Sequence, residues 1–514
     1  MAAVEARSRG EGEIGIRILS RALSPVLLLL ALGSAAPEEL HRSVVLAKGG
    51  RLQVVPGLRP DGIAWANFTN RIKGSGWSYL ELSTNGTYND SIQAYAAGVV
   101  EAAVTKQVRL ILLQLQGLED SYNNHVAFPQ GKFNIRPFGF ILFQMAGDLE
   151  DLELVFNKTD SSKAFGSGSC SALIKLLPGN KDLLVSHDTW TNYQTMLRII
   201  KKYKLSFKFT PGGDSPIPGE EQAFSSYPGT LFSGDDFYIM SSRLVALETT
   251  IGNNNAHLWK FVQPIGAVME WIRNLVANRL AESGAEWAGI FKNFNSGTYN
   301  NQWMIVDYNY FTPGYFNIKK NLLTILEQIP GQIAIADKTE ELMQRGYWAS
   351  YNIPYFEEIF NASGKQILVQ EYGDWFSYNK TPRAQIFRRN QTLVTDMESM
   401  VKLMRYNNFK NDPLSECGQC NPKRNGENSI SARSDLNPAN GTYPFSALGQ
   451  RSHGGTDMKV TSFELHKTYQ MIAVNGPTWD EVPAFQWSKS PFSKLMHMGH
   501  PDLWKFLPVL VQWN

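Results

Sequence analysis

Three cysteines in 514 residues are too few to staple a fold with disulfides, so an apolar core must hold this chain. An excess of one charge is missing as well. Lys and Arg total 49 against 47 Asp and Glu, a formal net charge of +2, and no Lys/Arg block stands out. Nucleic-acid binding needs a basic face, so that class is set aside. Long apolar runs are absent beyond the N-terminus. The most apolar candidate, Val108–Leu118, is short and is interrupted by Arg109, Gln114 and Gln116, so it reads as a core element, not a membrane span. Several catalytic signatures are lacking: G-x-S-x-G, H-E-x-x-H, a P-loop, a G-x-G-x-x-G after a strand, and the C-G-S-C-W context of papain-type enzymes. "HMGH" (His497–His500) has no evident third ligand, so neither a metal nor a cofactor is expected. Core material is plentiful: 43% of residues are hydrophobic and 12% aromatic, which suits a packed enzyme or a lipid- or sugar-facing surface equally.

The N-terminus is the most informative terminal segment. Arg17 and Arg21 precede an apolar stretch, Leu23–Leu32, of signal-peptide length, and Gly33, Ser34, Ala35 and Ala36 follow it. Cleavage after Ala35 leaves small residues where a signal peptidase reads, so residues 1–35 are assigned as a signal peptide. Eight N-x-S/T sequons agree with entry into the secretory pathway: Asn67, Asn85, Asn89, Asn157, Asn361, Asn379, Asn390 and Asn440. In that oxidising setting Cys417 and Cys420 of "ECGQCN" most simply close a small disulfide loop. A zinc ribbon would need a second pair at knuckle spacing, and a thioredoxin-like site would need a βαβ context. Cys170 is then left over, either as an inert buried thiol or as a reactive one.

Along the chain, strands and helices mix without a repeat, which places the protein in the α+β class. "RSVVLAKGGRLQVVPG" reads as a hairpin and "DDFYIMSSRLVALETTIG" as two strands. Ser91–Leu115 and Asp396–Phe409 read as helices. Tyr193, Met196, Leu197, Ile200 and Tyr203 share a 3.6-residue period with basic residues off that face, which predicts a further amphipathic helix. Phe156–Ser169 is a polar, Gly-containing loop that ends at Cys170.

Past that loop, "CSALIKLL" and "DLLVSHDTW" flank "PGNK" as a hairpin. A turn centred between Pro178 and Gly179 puts Cys170 opposite His187, and a half-residue shift puts it opposite Asp188. Opposed residues are neighbours, so a thiol, an imidazole and a carboxylate would meet at one sheet edge. The pliable Gly166–Ser169 run suggests autocleavage before Cys170. The freed α-amine, with an unperturbed pKa of about 7.7–8.0, would then serve the thiol as its own base.

At these residues the chain resembles the phospholipase B-like family, lysosomal proteins with the N-terminal nucleophile hydrolase fold. The resemblance is carried by "GSCSALIKLLPGNKDLLVSHDTWTNYQTMLRIIKKY" and continues in "SSYPGTLFSGDDFY", "ETTIGNNN", "WASYNIPYFEEIFNASG", "TPRAQIFRRN", "SARSDLNP" and "YPFSALGQRSHGGTDMK". It implies an αββα four-layer sandwich and cleavage between Ser169 and Cys170. Residues 36–169 and 170–514 would remain associated as one catalytic domain. It further implies Cys170 as nucleophile, Asp188 orienting the new α-amine, and His187, Thr250, Asn352 and Arg383 as pocket groups, with Asn352 donating to an oxyanion and Trp190 walling the pocket. The implied activity is deacylation of glycerophospholipids through a thioester. An N-acyl or peptide-like amide is the alternative substrate, and a catalytically weak luminal lipid-binding protein is the alternative class.

Overall fold

The computed structural model describes residues 38–47, 52–105, 139–156, 169–209 and 213–513. The expected signal peptide, Val108–Leu118, Asn157 and most of the Phe156–Ser169 loop lie outside these residues. The strands in the first half of the chain are β1 (Glu38–Leu46), β2 (Leu52–Pro56), β3 (Ala64–Asn70), β4 (Trp77–Thr84), β5 (Cys170–Leu176), β6 (Leu183–Asn192), β7 (Arg198–Lys204), β8 (Glu221–Ser226), β9 (Phe237–Met240) and β10 (Leu244–Thr250). Those of the second half are β11 (Asn301–Asp307), β12 (Leu323–Ile329), β13 (Gln332–Asp337), β14 (Tyr347–Ser350), β15 (His453–Gly455), β16 (Asp457–Thr461), β17 (Met471–Asn475), β18 (Phe485–Gln486), β19 (Leu503–Trp504) and β20 (Val509–Val511).

Eleven strands form one sheet in the order β13-β12-β11-β10-β9-β8-β7-β4-β3-β1-β2. Seven form a second, β14-β5-β6-β16-β17-β20, with β15 also on β6. The two sheets pack face to face. Ala172, Ile174 and Val185 of the smaller sheet meet Ile200, Ile239, Val245 and Met304 of the larger in one buried cluster. Helices Asp90–Thr105, Glu270–Leu280 and Gly284–Phe291 cover the other face of the large sheet through Ala96, Val100, Trp271, Leu275 and Trp287. Helices Pro382–Asn390 and Met397–Met404 cover the small sheet through Ile386, Phe387, Met400 and Met404 against Leu173, Leu184 and Val460. The layer order is therefore helix, sheet, sheet, helix, the αββα sandwich that the resemblance implied. Each large apolar side chain buried in these layers contributes about 1.5–3 kcal/mol.

Local chemistry explains the elements that frame the site. β5 reads CSALIKL without alternation because all seven residues are buried, one face between the sheets and the other under helices. Met397–Met404 starts at Asp396, whose carboxylate accepts from Ser399 N at 2.8 Å while Asp396 N donates to Ser399 Oγ at 3.1 Å, a reciprocal capping box. The β1–β2 hairpin and the β9–β10 pair form as the sequence suggests. Cys417 and Cys420 are joined as a disulfide.

Two sequence expectations fail. Tyr193–Tyr203 is not a helix: a 3₁₀ turn at Tyr193–Thr195 leads into β7, which pairs with β4 on one side and β8 on the other. The apparent helical period arose because β7 is buried on both faces. Its Lys201, which read as solvated, is fully buried and paired with Glu101 at 2.7 Å. The hairpin register also differs. Leu176 faces Leu183, so the turn centres between Gly179 and Asn180, and Cys170 lies opposite Thr189. His187 faces Ala172 and Asp188 faces Ser171. A left-handed Gly179 with a positive-φ Asn180 makes the turn longer at its C-terminal side than a Pro-Gly-centred turn.

Candidate active site

β5 begins at the nucleophile candidate, and strand alternation then sorts every group around it. Cys170 lies on the inter-sheet face with Thr189, Ala172 and His187, whereas Ser171 and Asp188 lie on the helix-covered face. The Cys170 thiol is the single free cysteine among the described residues and is 4% exposed. Burial pushes its pKa well above the ordinary value. Glu248, and then Asp236 and Asp235, push the same way, and Lys459 offsets them in part. The thiol is therefore held protonated.

Two side chains converge on the backbone at this point. Asn352 Oδ1 accepts from Ser169 N at 3.1 Å and from Cys170 N at 3.4 Å. Arg383 donates through Nη1 to the Cys170 carbonyl and through Nη2 to Asn352 Oδ1 at 2.8 Å. The guanidinium lies 4.2 Å over the Trp190 ring, whose Nε1 donates to Ile430 O at 3.2 Å. Stacking and a fixed fork of donors hold Arg383 in place. Burial lowers its pKa to about 10, so it keeps its charge at physiological pH. Trp190 thus braces Arg383 and is itself buried.

Asn352 pays a conformational cost for its position, with φ of +68°. Asn tolerates the left-handed region better than other non-Gly residues. Its Nδ2 donates to the Thr250 carbonyl at 2.7 Å, so Thr250 enters the site through its main chain. Asn352 therefore acts as an acceptor at the Ser169–Cys170 peptide, with its donor nitrogen already engaged. Replacing Asn352 by Gly or by Ala removes the same hydrogen bonds, but only Ala must enter the left-handed region. The Ala variant is expected to unfold at lower urea than the Gly variant, by about 1 kcal/mol. Equal midpoints would show that the backbone carries no strain here.

His187 and Asp188 are brought near but make no direct hydrogen bond to Cys170. His187 Nε2 donates to the Glu248 carbonyl at 2.9 Å, which leaves Nδ1 as an acceptor 3.4 Å from Thr189 Oγ1. Burial, and then Lys459, hold this imidazole well below its usual pKa, so it is neutral. Asp188 is fully buried on the opposite face. Burial, and then Asp457, raise its pKa well above the usual carboxylate range. Neither of its oxygens is hydrogen-bonded, and the nearby Ser431 hydroxyl eases its burial from outside bonding geometry. Gly455 allows this close approach: a Cβ there would sit 2.2 Å from Ser431 Oγ and 2.8 Å from Asp188 Oδ1.

Several site groups escaped the sequence reading. Lys459 Nζ donates to Thr189 Oγ1 at 2.8 Å and to Asp457 at 2.7 Å. Arg198 of β7 bonds Asp457 of β16 and, at 2.6 Å, Asp235, so a neutral set of two cations and two carboxylates ties the sheets together behind the thiol. Ser171 Oγ donates to Ile430 O at 2.8 Å and accepts from Arg383 at 3.3 Å. Lys459 sits in the "GGTDMK" segment, but nothing local marks it as a neighbour of Cys170, some 290 residues earlier. A cavity of about 540 Å³ lies elsewhere, on the loop after β14, lined by Tyr355, Phe360 and Tyr378 and by the sequon residues Asn361 and Asn379. Among the sequons, Asn89, Asn361, Asn379 and Asn440 are exposed, and Asn67, Asn85 and Asn390 are half-buried. No group of three or more potential metal ligands occurs among the described residues.

Comparison with known proteins covers nearly the whole of this architecture. The family model described as Phospholipase B matches residues 64–108 and 105–511. Human phospholipase B-like 2 is 60% identical over 537 residues, covering 94% of this chain and 91% of that protein. Phospholipase B-like 1 of Caenorhabditis elegans is 41% identical over 510 residues, covering 88% of each. Among solved structures, a mutant conjugated bile acid hydrolase from Clostridium perfringens aligns over 67% of this chain and 97% of its own. Its TM-score is 0.32 and its identity 11%, a likeness too slight to bear on function. With the match running through both sheets and through every residue of the candidate site, the chain belongs to the phospholipase B family.

Proposed function

We propose that this chain is an acyl hydrolase made as a precursor, cut at Ser169–Cys170, with Cys170 as its nucleophile and glycerophospholipid acyl esters as its substrates. The observation that carries this reading is the joint grip of Asn352 and Arg383 on the Ser169–Cys170 backbone. The peptide is held on both sides, its Cys170 N–H by Asn352 and its Ser169 carbonyl by Trp190 N at 2.6 Å, while Arg383 fixes the carbonyl that follows, so the bond is restrained for attack by the adjoining thiol. In maturation Sγ adds to the Ser169 carbonyl carbon, the Ser169–Cys170 C–N bond breaks, and the Cys170 nitrogen takes a proton. The resulting thioester is hydrolysed by water to the Ser169 carboxylate. The new α-ammonium supplies the cation that the unpaired Asp188 carboxylate lacks, and Asn352 Oδ1 remains its acceptor.

In turnover Sγ attacks the ester carbonyl, and the departing lysophospholipid alcohol takes the proton that the α-amine received from the thiol. Water then attacks the thioester with the α-amine as base, and the fatty acid leaves. The family's name supports a lipid ester over an amide. The signal peptide and sequons support a luminal site. The buried carboxyls that favour protonation suit an acidic lumen such as the lysosome. Among the described residues no helix is long and apolar enough to cross a membrane.

The test is N-terminal sequencing of the matured large fragment, joined to a screen for fatty-acid release from soluble short-chain phospholipid esters and N-acyl amides. A fragment beginning at Cys170 and release from the esters are expected. Release from amides alone would make the chain an amidase. Correct cutting with no release from either class would make it a lipid-binding protein.

A further inference from the structure

We infer that the C-terminal hairpin Phe485–Trp504 is a docking surface for anionic lipid bilayers. The inference rests on the lipid-ester reading above and adds how the protein reaches that substrate. The hairpin is a short β18–β19 ladder, with Phe485 facing Trp504 and Gln486 facing Leu503. Its long loop is braced from within. The Trp487 and His497 rings stack at 4.2 Å, Asp502 accepts from Gln486 and Ser488 at 2.7 Å, and Leu495 N donates to Phe492 O at 2.9 Å. Despite that bracing, the loop turns apolar side chains outward: Met496 is 69% exposed, Met498 63% and Leu503 46%. A rigid loop that exposes apolar residues together marks an interaction site, whereas scattered surface apolar residues do not.

Charge selects the occupant. From Ser488 to Leu507 the chain carries Lys489, Lys494 and Lys505, all exposed, against one carboxylate, Asp502, which is tied to Gln486 and Ser488. Apolar side chains flanked by lysines fit a surface with an acyl interior and anionic headgroups. Each lysine near such a surface favours binding roughly fivefold.

Position gives the patch a purpose. Cys170 pairs with Thr189, and β6 runs on past it to Asn192 and the Tyr193 turn. Tyr193 and Met196 pack into the base of the hairpin with Phe485, Trp487 and Trp504, the Tyr193 and Phe485 rings being 4.6 Å apart. Four residues of extended chain span about 13 Å. The hairpin is thus rooted at the end of the sheet that carries the nucleophile, where a bilayer-bound molecule would present lipid to it.

The test is co-sedimentation of the matured protein with vesicles. One set is phosphatidylcholine alone, the other equal parts phosphatidylcholine and phosphatidylserine. Binding to the second set only is expected. Met496→Asp with Met498→Asp should lower it at least about tenfold, and Lys489→Gln with Lys494→Gln roughly 25-fold. Cleavage of a soluble short-chain ester should be unchanged in both pairs, because neither touches the site. Loss of soluble-ester cleavage in the unmutated protein would count against the catalytic reading, whereas vesicle binding tests the hairpin alone. Equal sedimentation with both vesicle types, or variants that bind like the unmutated protein, would overturn the inference. So would a dimer that the Met496→Asp, Met498→Asp pair converts to monomer, since a second copy would then be the occupant.

Discussion

Cys170→Ala is expected to accumulate as a single uncut chain with no measurable acyl-hydrolase activity. The thiol is free and buried, and its replacement removes one small atom, so the fold should survive with a loss of about 1 kcal/mol. The chemistry should not survive. The neighbouring hydroxyl, Ser171, faces the opposite side of β5 and is engaged with Ile430 O, so it cannot replace the thiol. Removing a nucleophile costs on the order of a million-fold in turnover, below detection here. Cys170→Ser retains an attacking atom and is expected to be cut slowly. Gel analysis with N-terminal sequencing reads both variants. A Cys170→Ala chain that is still cut at the same bond would show that another protease makes the cut, and the autocatalytic reading would fall.

The second expectation is a stability maximum on the acidic side of neutrality. Burial raises Asp148 to about 6 and Glu327 to about 7. Burial and neighbouring carboxyls raise Glu248 and Glu270 well above their ordinary range, and burial raises Asp236. These groups bind protons more tightly folded than unfolded. Their stabilisation is complete below the unfolded carboxyl value of about 4 and is lost as pH rises through the folded values. Three imidazoles oppose this. His187, His466 and His500 are held below their usual pKa, chiefly by burial, and so favour the folded state above about pH 6.5. The carboxyl groups are more numerous and more deeply buried, so they prevail.

Calorimetry of the uncut Cys170→Ala chain should give a Tm higher near pH 5 than near pH 7.5, by about 5 °C or more. Glu270→Gln isolates one contributor. Both Glu270 oxygens lack hydrogen bonds, and the Trp303 indole eases the site from outside bonding geometry. A neutral amide avoids the cost of keeping a carboxyl protonated, about 1.4 kcal/mol for each pH unit above its free value. The variant should therefore gain Tm near pH 7.5 and change little near pH 5. A Tm that rises with pH in the unmutated chain would contradict the expectation.

How much of this was legible in the sequence varies with the range of the interaction concerned. The β5–β6 hairpin was legible because an apolar run, a Pro-Gly turn and a second apolar run are all local. Its register was not, because the turn centre shifts by one residue depending on whether Gly179 and Asn180 both take positive φ. That single step moved Cys170 from His187 to Thr189, a two-residue shift that leaves His187 on the face of Cys170 and Asp188 on the other. The false helix at Tyr193–Tyr203 has a similar origin. Periodicity assumes one wet face, and β7 has none.

The sequence by itself determined that Cys170 is the odd thiol, that it opens a strand after a Gly/Ser-rich segment, and that the remaining two cysteines pair. These are matters of counting and of nearest neighbours along the chain. Only the tertiary structure decided what surrounds that thiol. Asn352 and Arg383 lie 182 and 213 residues beyond Cys170, and Lys459 lies farther still. Asn352 and Lys459 arrive through the antiparallel pairing of β14 with β5 and of β16 with β6, strands about 4.8 Å apart, and Arg383 through helix Pro382–Asn390 packed on the same sheet. Burial then sets the protonation of Cys170, His187 and Asp188, and burial is a property of the packed layers, which no single segment carries.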